Sequence, residues 1–510
     1  MIPFPERPLR RRGGAILVST MWVMIILTGL VLVFARSMRV ETLGSANRVA
    51  SIQATAVAEG AEQYLMSLVD GSNGDPSVVD QALTEAVAVG QDDQGNPIGY
   101  FWMIRPDPDT DQQQAFGIVD EASKLNINKA ESDQLARLPG MTEDVAEAIV
   151  DWRDEDSTPQ QQGAEDEYYM SLPDPYHAKN GPFESVEELM LVRGVTKQLL
   201  YGYDFNRDGV VTDQERQVGG GSTISVDDYS TRGIFDFITV NSIEPAPNSN
   251  ASGSAGANPS SAFGSGNLVQ DTAQQATRIN INSTDTKQLQ QLLQKTLSGD
   301  RFNAVWQAVT QRLGGRTPQK FDSVFDFYYS TGLKVEEFRQ LAGQLTTSST
   351  TQTGLIDVNR APREVLMTLP GLEEADVDAM ISKRQEYGVG TGVTTSDTSS
   401  LSNAFNGGST VGMAWVVEAL TQQKAMAIGN LLTDRSYQFS ADIVAVSADG
   451  RAFRRIYVVV DVRQTPPKVV YRKDLTSWGW PLDPQIRLDL RQGLGVSPVV
   501  SGGTTGAIQR

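Results

Sequence analysis

The sequence predicts an α+β fold in which a long N-terminal helix and a small antiparallel β-sheet are interrupted by a large α-helical insert. Three observations support this prediction. An uncharged run near the N-terminus continues into a helical apolar pattern, strand patterns stand on both sides of a long helical region, and a block inside that region recurs at a constant offset. With 510 residues, 40% of them hydrophobic, the chain is long enough for several domains with buried cores.

The N-terminal segment has the pattern of a membrane helix. Four arginines, at positions 7, 10, 11 and 12, precede Gly13 and Gly14, and Ala15–Ala35 is an uncharged run of 21 residues. About 20 apolar residues span a bilayer as a helix, and basic residues before such a helix keep its N-terminus in the cytoplasm. We therefore expect a single-pass anchor with the rest of the chain exported.

The glycine pair precedes the apolar run, whereas an ordinary signal peptide has its small-residue cleavage site after the run. This arrangement resembles a type IV prepilin leader, which a prepilin peptidase cuts after glycine while the helix stays on the mature protein. Cleavage is expected after Gly13 or after Gly14, so the mature chain begins at Gly14 or Ala15. Most pilins carry Glu at mature position five, where this chain has Val18 or Ser19. An uncleaved signal anchor is the alternative.

The helical pattern continues past the membrane run. Apolar residues at positions 49, 52, 56, 58, 65 and 68 recur about every three or four residues, and no proline interrupts the segment. A helix over 15–69 would be about 80 Å long at 1.5 Å per residue. Its first half suits lipid or a filament core, and its second half presents an apolar face to a folded domain.

Strand patterns bracket the helical region. Ile98–Arg105 and Phe116–Val119 are rich in branched and aromatic residues, Asp449-Gly450 is a hairpin turn between two further strands, and Lys468–Lys473 is the last strand. The predicted segments are, in order, a leader 1–14, the helix 15–70, the first part of the α/β domain 71–120, a helical subdomain 121–243, a flexible linker 244–275, a second helical subdomain 276–430 with a Gly/Ser/Thr loop 388–411, terminal strands 431–495 and a disordered tail 496–510.

The helical region contains an internal repeat. Residues 125–153 and 356–384 are related by an offset of 231 without a gap, and both contain L-P-G before a helical pattern. Partial copies lie at 278–293 and 188–200. We interpret the full copies as helix-hairpin-helix (SAM-like) repeats, in which glycine forms the tight turn and Asn128 or Asn359 caps a helix start.

Helix-hairpin-helix motifs usually grip nucleic-acid phosphate with the backbone N–H groups that begin the second helix. The second glycine common in such sites is replaced by Thr142 in one copy and Glu373 in the other. Residues 124–156 hold nine Asp or Glu and four Lys or Arg, and the formal net charge of the chain is −19. Because acidic surfaces repel phosphate, we expect packing modules with no nucleic-acid partner. The alternative is a membrane-anchored DNA receptor for DNA uptake.

The sequence argues against catalysis. It has no cysteine and a single histidine, His177, which we interpret as a surface residue. A thiol nucleophile, a thiolate metal site and a multi-histidine metal site are therefore excluded or strongly disfavoured. No G-x-S-x-G sequence is present. The protein is expected not to be an enzyme.

Residues 204–215 fit the twelve-residue calcium loop. The ligand positions are filled by Asp204, Asn206, Asp208, the carbonyl of Val210, Thr212 and Glu215, with Gly209 at the sharp turn. Oxygen ligands at this spacing suit Ca²⁺ better than Mg²⁺, which gives up its water reluctantly. Glycines from position 219 interrupt the helix that would leave the loop. We expect a structural Ca²⁺ here, with a metal-free acidic turn as the alternative.

A second group of carboxylates lies upstream of that loop. Its members are Asp151, Asp154, Glu155, Asp156, Glu165 and Asp166. We interpret the group as a solvated acidic face, and we regard Asp154 and Asp156 as weaker candidate ligands for another ion.

Several runs together resemble one family. Residues 163–195 begin with GAEDEYY and continue through PY and KNGPF, EASKLNIN occupies 121–128, and DWRDED occupies 151–156. These segments are similar to the K-class minor pseudopilin of the type II secretion system, general secretion pathway protein K. The I-N-I-N run at 279–282 matches the second helical subdomain of that family. Like this chain, that class lacks Glu at mature position five.

The resemblance implies a pilin-like fold whose helix and sheet are split by a helical domain. It implies a periplasmic position at the tip of a short pseudopilus anchored in the inner membrane, where the protein starts assembly with other minor pseudopilins for export of folded proteins across the outer membrane. The secretin or an exported substrate is a further expected contact, and prepilin peptidase is the expected processing enzyme. Calcium is a feature of the helical domain in this family. The repeat at 355–420 and the long linker depart from the family pattern.

Overall fold

The computed structural model describes residues 13–72, 74–76, 86–93, 95–105, 115–207, 215, 233–247, 278–315, 318–387 and 412–496. The loop predicted at 388–411, and most of the predicted leader, linker and tail, lie outside these residues.

The described residues form fourteen α-helices and fifteen β-strands. Helices α1 to α14 are Gly13–Val69, Ser132–Leu135, Glu143–Arg153, Asp166–Tyr169, Lys197–Tyr201, Lys287–Thr296, Gly299–Leu313, Val324–Thr331, Val335–Leu341, Arg363–Leu366, Glu374–Glu386, Val416–Ala419, Gln422–Ile428 and Pro484–Arg491. Strands β1 to β15 are Val87–Val89, Gly99–Arg105, Ala115–Phe116, Val119–Asp120, Leu125–Asn126, Ile238–Thr239, Ile243–Glu244, Ile279–Asn280, Leu345–Thr346, Gln352–Thr353, Ile356–Asp357, Leu432–Thr433, Gln438–Ser447, Phe453–Asp461 and Lys468–Asp474.

The predicted long helix is confirmed as α1, but its predicted apolar face is wrong in part, because Ala58 and Leu65 are buried whereas Val49, Ile52 and Ala56 are exposed. Its C-terminal half buries a stripe of mostly small side chains, and Ala54, Ala61, Leu65 and Val69 are all fully buried. These positions recur every three to four residues, counting the buried Ala58, which is the period of one helix face. Alanines along this face let the helix lie close to the sheet on which it packs.

The central sheet is antiparallel and has the strand order β1-β2-β13-β14-β15, with β3 paired to β2 and β4 to β13. The predicted hairpin around Asp449-Gly450 is confirmed as β13 and β14, whose register runs from Gln438 opposite Asp461 to Val446 opposite Phe453. Because β13 also pairs with β2, residues on either side of the helical insert form neighbouring strands. The insert is therefore an excursion from one sheet.

The sheet is covered on both faces. Phe101 and Met103 of β2 pack with α1, whereas Trp102 and Ile104 belong to a second cluster with Leu482 and other residues of the C-terminal segment. Trp480 belongs to this C-terminal segment, and its ring lies 6.0 Å from that of Trp102. Alternate side chains of β2 thus point into different cores, as expected for a strand covered on both sides.

The described part of the helical insert contains three units, each of which opens and closes with a pair of parallel strands. Strand β5 pairs with β6, β8 with β9, and β11 with β12. We name these units module 1 (125–239), module 2 (279–346) and module 3 (356–433). The region predicted as a second helical subdomain contains modules 2 and 3. The full copies of the sequence repeat contain the opening strands of modules 1 and 3, but neither the opening nor the closing strands were predicted.

The prediction that Asn128 and Asn359 cap helices is wrong. The N-cap residues of the helices that follow are Glu131 and Pro362. The Asn128 carboxamide instead accepts a hydrogen bond from the N–H of Phe183 at 2.7 Å and donates to its carbonyl at 3.0 Å. Asn282 makes the same pair of bonds with Phe321. A carboxamide can satisfy a backbone N–H and a backbone C=O together, which ties distant segments of a module.

An arginine closes the hairpin in modules 1 and 3. Arg153 donates to the carbonyls of Ile127 and Ala130. Arg384, at the same offset of 231, donates to the carbonyl of Ala361 at 2.6 Å and lies 3.5 Å from that of Val358. We call this contact the arginine clamp. It joins the end of each second helix to the segment that follows the opening strand.

The two hairpins also contact one another. The guanidinium of Arg137 donates to the carbonyl of Leu369 at 3.0 Å, from the L-P-G turn of one copy to that of the other. Gly140 and Gly371 have φ of 70° and 74°, a left-handed backbone that favours glycine. The expected glycine turns are therefore confirmed, whereas the helix-hairpin-helix classification remains a prediction.

Candidate functional site

The predicted cleavage residues lie at the beginning of α1. Helix α1 begins at Gly13, so the backbones of Gly13, Gly14 and Ala15 form its first turn. Among the described residues, one helix is long and apolar enough to cross a membrane, and its apolar window is not buried against the rest of the protein. This finding fits a single-pass membrane anchor.

The predicted calcium loop is described in part. Asp208, Val210 and Thr212 lie outside the described residues, whereas Asp204, Asn206 and Glu215 are described and half-buried. Arg207, between the described ligand candidates, has φ of 54°, the left-handed conformation that is uncommon for residues other than glycine. The calcium loop therefore stays a prediction.

The first half of that loop is tied to the central sheet. Arg455 of β14 is fully buried and donates to the backbone carbonyls of Asn206 and Arg207 at 2.8 and 2.9 Å. The same guanidinium pairs with the Asp442 carboxylate at 2.7 Å. Arg207 in turn pairs with Asp236 at 2.7 Å. No sequence pattern predicted this contact, because Arg455 lies more than 240 residues from the loop.

The second acidic group forms a tighter cluster than the sequence indicated. Carboxylate oxygens of Asp154, Asp156 and Glu165 all lie within 4.8 Å of one another. We call these three residues the acidic cluster. Glu165 is 4% exposed, and neither of its oxygens has a hydrogen-bond partner; the same holds for Oδ1 of Asp154. Buried oxygens without partners are costly, and a cation would satisfy them.

Local structure explains how these residues come together. Helix α3 ends at Arg153, and Asp154 follows as its C-cap, with its N–H bonded to the carbonyl of Val150. The chain then returns through 157–164 to Glu165, the N-cap residue of α4. The ring of Trp152 lies 5.1 Å from that of Tyr169, edge to face, which fixes the two helices together.

Gly163 permits this return because it leaves room for the neighbouring Asp151. A Cβ atom at position 163 would lie 1.8 Å from Oδ2 of Asp151. Asp151 is fully buried and accepts a hydrogen bond from the N–H of Gln160 at 3.2 Å. The glycine of the GAED run is therefore required by close packing against a buried carboxylate.

The electrostatics of the cluster favour a bound cation. Burial, followed by repulsion from Asp154, Asp151 and Asp156, raises the pKa of Glu165 to about 7. Burial and the nearby Asp156 also raise the pKa of Asp154. Carboxylates that resist ionisation when crowded are stabilised as anions by a divalent cation with oxygen ligands. The sequence placed Glu165 in the acidic group but did not select it as a ligand.

The hairpins carry acidic groups where a phosphate would bind. Thr142 Oγ1 donates to Asp144 at 2.5 Å at the start of α3. In the other copy, the N–H of Glu373 donates to Asp376 at 2.8 Å, and Asp376 pairs with Lys424. Carboxylates thus occupy the positive ends of both helices. Within the described hairpins no observation supports the DNA receptor alternative.

His177 lies on the surface, as predicted. Its Nδ1 lies 2.8 Å from Oδ2 of Asp166, and both side chains are exposed. The ring therefore neighbours the acidic cluster without joining it. Proximity of the imidazole lowers the pKa of Asp166 through their hydrogen bond.

Comparison with known proteins finds one family that matches part of the chain. Residues 112–202 match the family model for the type II secretion system (T2SS), protein K. This segment is therefore similar to a component of the type II secretion system. Within that system the matched family is protein K, which confirms the resemblance predicted from the sequence. The matched segment includes the arginine clamp of module 1 and the acidic cluster.

One solved structure is similar to the chain at low sequence identity. A crystal structure of the GspK–GspI–GspJ complex from the enterotoxigenic Escherichia coli type 2 secretion system matches with 13% identity over 86% of this chain and 99% of that chain. Its TM-score is 0.31, so this likeness supports no conclusion about the present chain. No curated protein matches the sequence.

Proposed function

We propose that this protein is the minor pseudopilin at the tip of the type II secretion pseudopilus. It starts pseudopilus assembly with other minor pseudopilins, so that folded proteins are exported across the outer membrane. The observation that carries this proposal is the protein K match over residues 112–202. The arrangement of the molecule supports it, because three helical modules project from a small sheet that a long apolar helix anchors.

The size of the insert favours the tip over the shaft. Pilin-like subunits pack side by side through their long helices, and every subunit below the tip needs a small head. Here the chain leaves the sheet after β4 and returns at β13, with modules 1 to 3 between them. Such a mass at the top of one subunit is accommodated where no further subunit follows.

The proposed partners are other minor pseudopilins of the type II secretion system, and the protein K match over residues 112–202 supports them. The inner membrane and prepilin peptidase complete the proposed set, with the N-terminus in the cytoplasm and the modules in the periplasm. The secretin or an exported substrate is proposed as a contact of the tip. The arginines before Gly13 support this orientation.

We propose Ca²⁺ as the structural cofactor of module 1. Asp154, Asp156 and Glu165 would hold one ion, because their oxygens converge and three of those oxygens are buried without a partner. The loop 204–215 remains a second proposed site, supported by its sequence pattern. In each place the ion would neutralise carboxylates that repel one another, and neither ion takes part in a reaction.

Processing and assembly test the functional proposal. Mass spectrometry of the membrane-extracted protein is expected to find a mature N-terminus at Gly14 or Ala15, and that form is expected to disappear in cells without prepilin peptidase. Co-expression with the two other minor pseudopilins is expected to yield a complex that survives purification. An intact N-terminus together with no complex would contradict the tip assignment.

The proposed calcium loop has its own test. Glu215→Ala removes the ligand at position twelve of the loop, so the calcium-dependent rise in melting temperature is expected to shrink. The matched control is Glu155→Ala, an exposed acidic residue outside both proposed ligand sets. Equal melting of Glu215→Ala and the parent protein, in calcium and in chelator, would rule out an ion in the loop.

A further inference from the structure

Module 1 has three large apolar side chains that are exposed to solvent. Tyr168, Met170 and Leu191 are 37%, 47% and 48% exposed. Beyond α1, the other large hydrophobic side chains exposed in the described part of the chain are Met426, Val470, Leu488 and Leu494. Three of seven such residues therefore belong to one small part of module 1.

Recorded contacts join Tyr168 to Arg193 and Tyr176 to the backbone of Leu191, and Met170 follows Tyr168 by two residues. The guanidinium of Arg193 lies over the ring of Tyr168, 5.1 Å from its centroid, and Leu191 is two residues away along the chain. The hydroxyl of Tyr176 donates to the carbonyl of Leu191 at 2.8 Å. We call Tyr168, Met170, Leu191 and Arg193 the Tyr168 surface. Tyrosine, methionine and arginine are the residue types enriched at the centres of protein interfaces.

Aromatic rings of module 1 pack next to the Tyr168 surface. The buried ring of Tyr169 lies 5.2 Å from Tyr168, 5.1 Å from Trp152 and 5.4 Å from Tyr176. The guanidinium of Arg193 donates a hydrogen bond to the carbonyl of Gly163 at 2.8 Å. Side chains that are ordered before binding lose little conformational entropy when a partner docks.

The surroundings of this surface are acidic. Outside the acidic cluster, residues 143–176 contain eight Asp or Glu and one Arg, and that residue, Arg153, is engaged in the clamp. Glu167 and Asp174, close to Tyr168 in the sequence, are exposed. An apolar patch within such a field suits a partner with positive charges around an apolar side chain. Anionic lipid surfaces and a second acidic module 1 would both be repelled.

We propose that the Tyr168 surface is a docking site for a protein segment in which apolar side chains alternate with lysine or arginine. The apolar side chains cover Tyr168, Met170 and Leu191, and the basic groups face the carboxylates around them. This inference is argued from module 1 alone and does not depend on the tip assignment.

A labelled peptide tests the proposal directly. The probe is a fluorescein-labelled Lys-Leu-Lys-Phe-Lys-Leu-Lys, measured by anisotropy against the purified full-length chain in a zwitterionic detergent. The double variant Met170→Ser/Leu191→Ser is expected to bind at least about tenfold more weakly, a loss of about 1.4 kcal/mol. Met426→Ser, which changes the exposed methionine of module 3 (36% against 47% for Met170), is the control and is expected to bind like the parent protein.

Two comparisons separate a specific site from general charge attraction. Glu-Leu-Glu-Phe-Glu-Leu-Glu and Lys-Ser-Lys-Ser-Lys-Ser-Lys are both expected to bind more weakly than the probe, because each lacks one half of the complementarity. Equal binding of the lysine–serine peptide, or equal loss in Met426→Ser and the double variant, would overturn the proposal.

Cross-linking in cells with a complete secretion system identifies the natural segment. A photoreactive phenylalanine at position 170, with position 426 as control, is expected to capture a segment rich in lysine or arginine beside apolar residues. Capture of an acidic segment, of a second copy of this chain, or of the same proteins from both positions would overturn the proposal.

Discussion

Modules 1 and 3 share a hairpin, a left-handed glycine turn and an arginine clamp, yet their second helices end differently. Module 1 continues from Arg153 into Asp154 and Asp156, whereas module 3 continues from Arg384 into Gln385 and Tyr387 at the equivalent positions. Because the hairpin forms with either ending, the carboxylates of module 1 are not needed for that fold. This difference separates residues that build the module from residues available for a ligand.

The same comparison applies at the opening strands. Asn126 of module 1 and Asp357 of module 3 occupy equivalent positions, and each accepts a hydrogen bond from the N–H two residues later, at 2.9 Å in both. An amide oxygen therefore serves the turn as well as a carboxylate does. The charge of Asp357 has a separate consequence, because it lies beside the buried Asp120 of β4.

The largest expected effect concerns the arginine clamp. Arg384→Met leaves the buried carbonyls of Ala361 and Val358 without their donor, so we expect a loss of about 3 kcal/mol in the free energy of unfolding. Arg153→Met is expected to cost about as much in module 1. Urea unfolding of the full chain provides the measurement.

Arg363→Met is the matched control for the clamp. Arg363 pairs with Glu374 and Asp378 at the surface, and exposed ion pairs contribute about 1 kcal/mol or less. If Arg384→Met costs no more than Arg363→Met, the clamp does not stabilise the hairpin, and the likeness of the two modules has another origin.

A smaller effect is expected from Gly163→Ala, because module 1 places the buried carboxylate of Asp151 against its return segment 157–164. The new Cβ atom would lie 1.8 Å from Oδ2 of Asp151, so Asp151 or the loop has to move, at a cost of about 2 kcal/mol. The equivalent of Asp151 in module 3 is the exposed Ser382. Thermal unfolding measures the change.

Gly299→Ala is the control for that substitution. A Cβ atom at position 299 meets nothing within 4 Å, so the change is expected to be neutral or to stabilise the helix by up to about 1 kcal/mol. Equal melting temperatures for the two variants would mean that the return segment adapts freely and that the packing around Asp151 is loose.

The smallest expected effect is a dependence of stability on pH. Burial raises the pKa of Asp120 well above its usual range, and the neighbouring Asp357 raises it further, while Ser436 and Arg360 act in the opposite direction. A raised pKa means that the folded state binds the proton more tightly than the unfolded chain. The stabilisation is therefore present at low pH and declines as pH rises through the folded pKa.

Asp357→Asn restores the residue type of module 1 and is expected to flatten this decline. Urea unfolding at a series of pH values compares the variant with the parent protein and with Asp174→Asn, which changes an exposed carboxylate. A variant with the same pH dependence as the parent would show that Asp357 does not act on Asp120.

Much of the fold was predictable from the sequence because its signals are long. The 57 residues of α1 carry an unbroken pattern, the β13–β14 hairpin has a strong turn signal, and the repeat preserves its spacing through 29 residues. The opening and closing strands of the modules were all missed because each has two residues. Two residues carry no periodicity, and the pairing of opening with closing strands depends on tertiary structure.

The candidate site was predictable only in part. Asp154 and Asp156 were selected from local spacing, but Glu165 joins them because the chain turns back at Gly163 and packs Tyr169 on Trp152. The role of Asn128 was misjudged for a similar reason, since its partner Phe183 lies 55 residues away. Local patterns indicate which residues are available, and long-range packing decides which of them meet.

The most direct measurement is a calorimetric titration of the full-length protein with Ca²⁺, comparing the parent protein with Glu165→Gln and with Gln385→Ala. Glu165→Gln keeps the shape of the side chain and removes its charge, whereas Gln385→Ala changes module 3 at the position equivalent to Asp154. We predict that Glu165→Gln loses one binding event and that Gln385→Ala titrates like the parent protein. Identical titrations for Glu165→Gln and the parent protein would contradict the assignment of the acidic cluster as a calcium site.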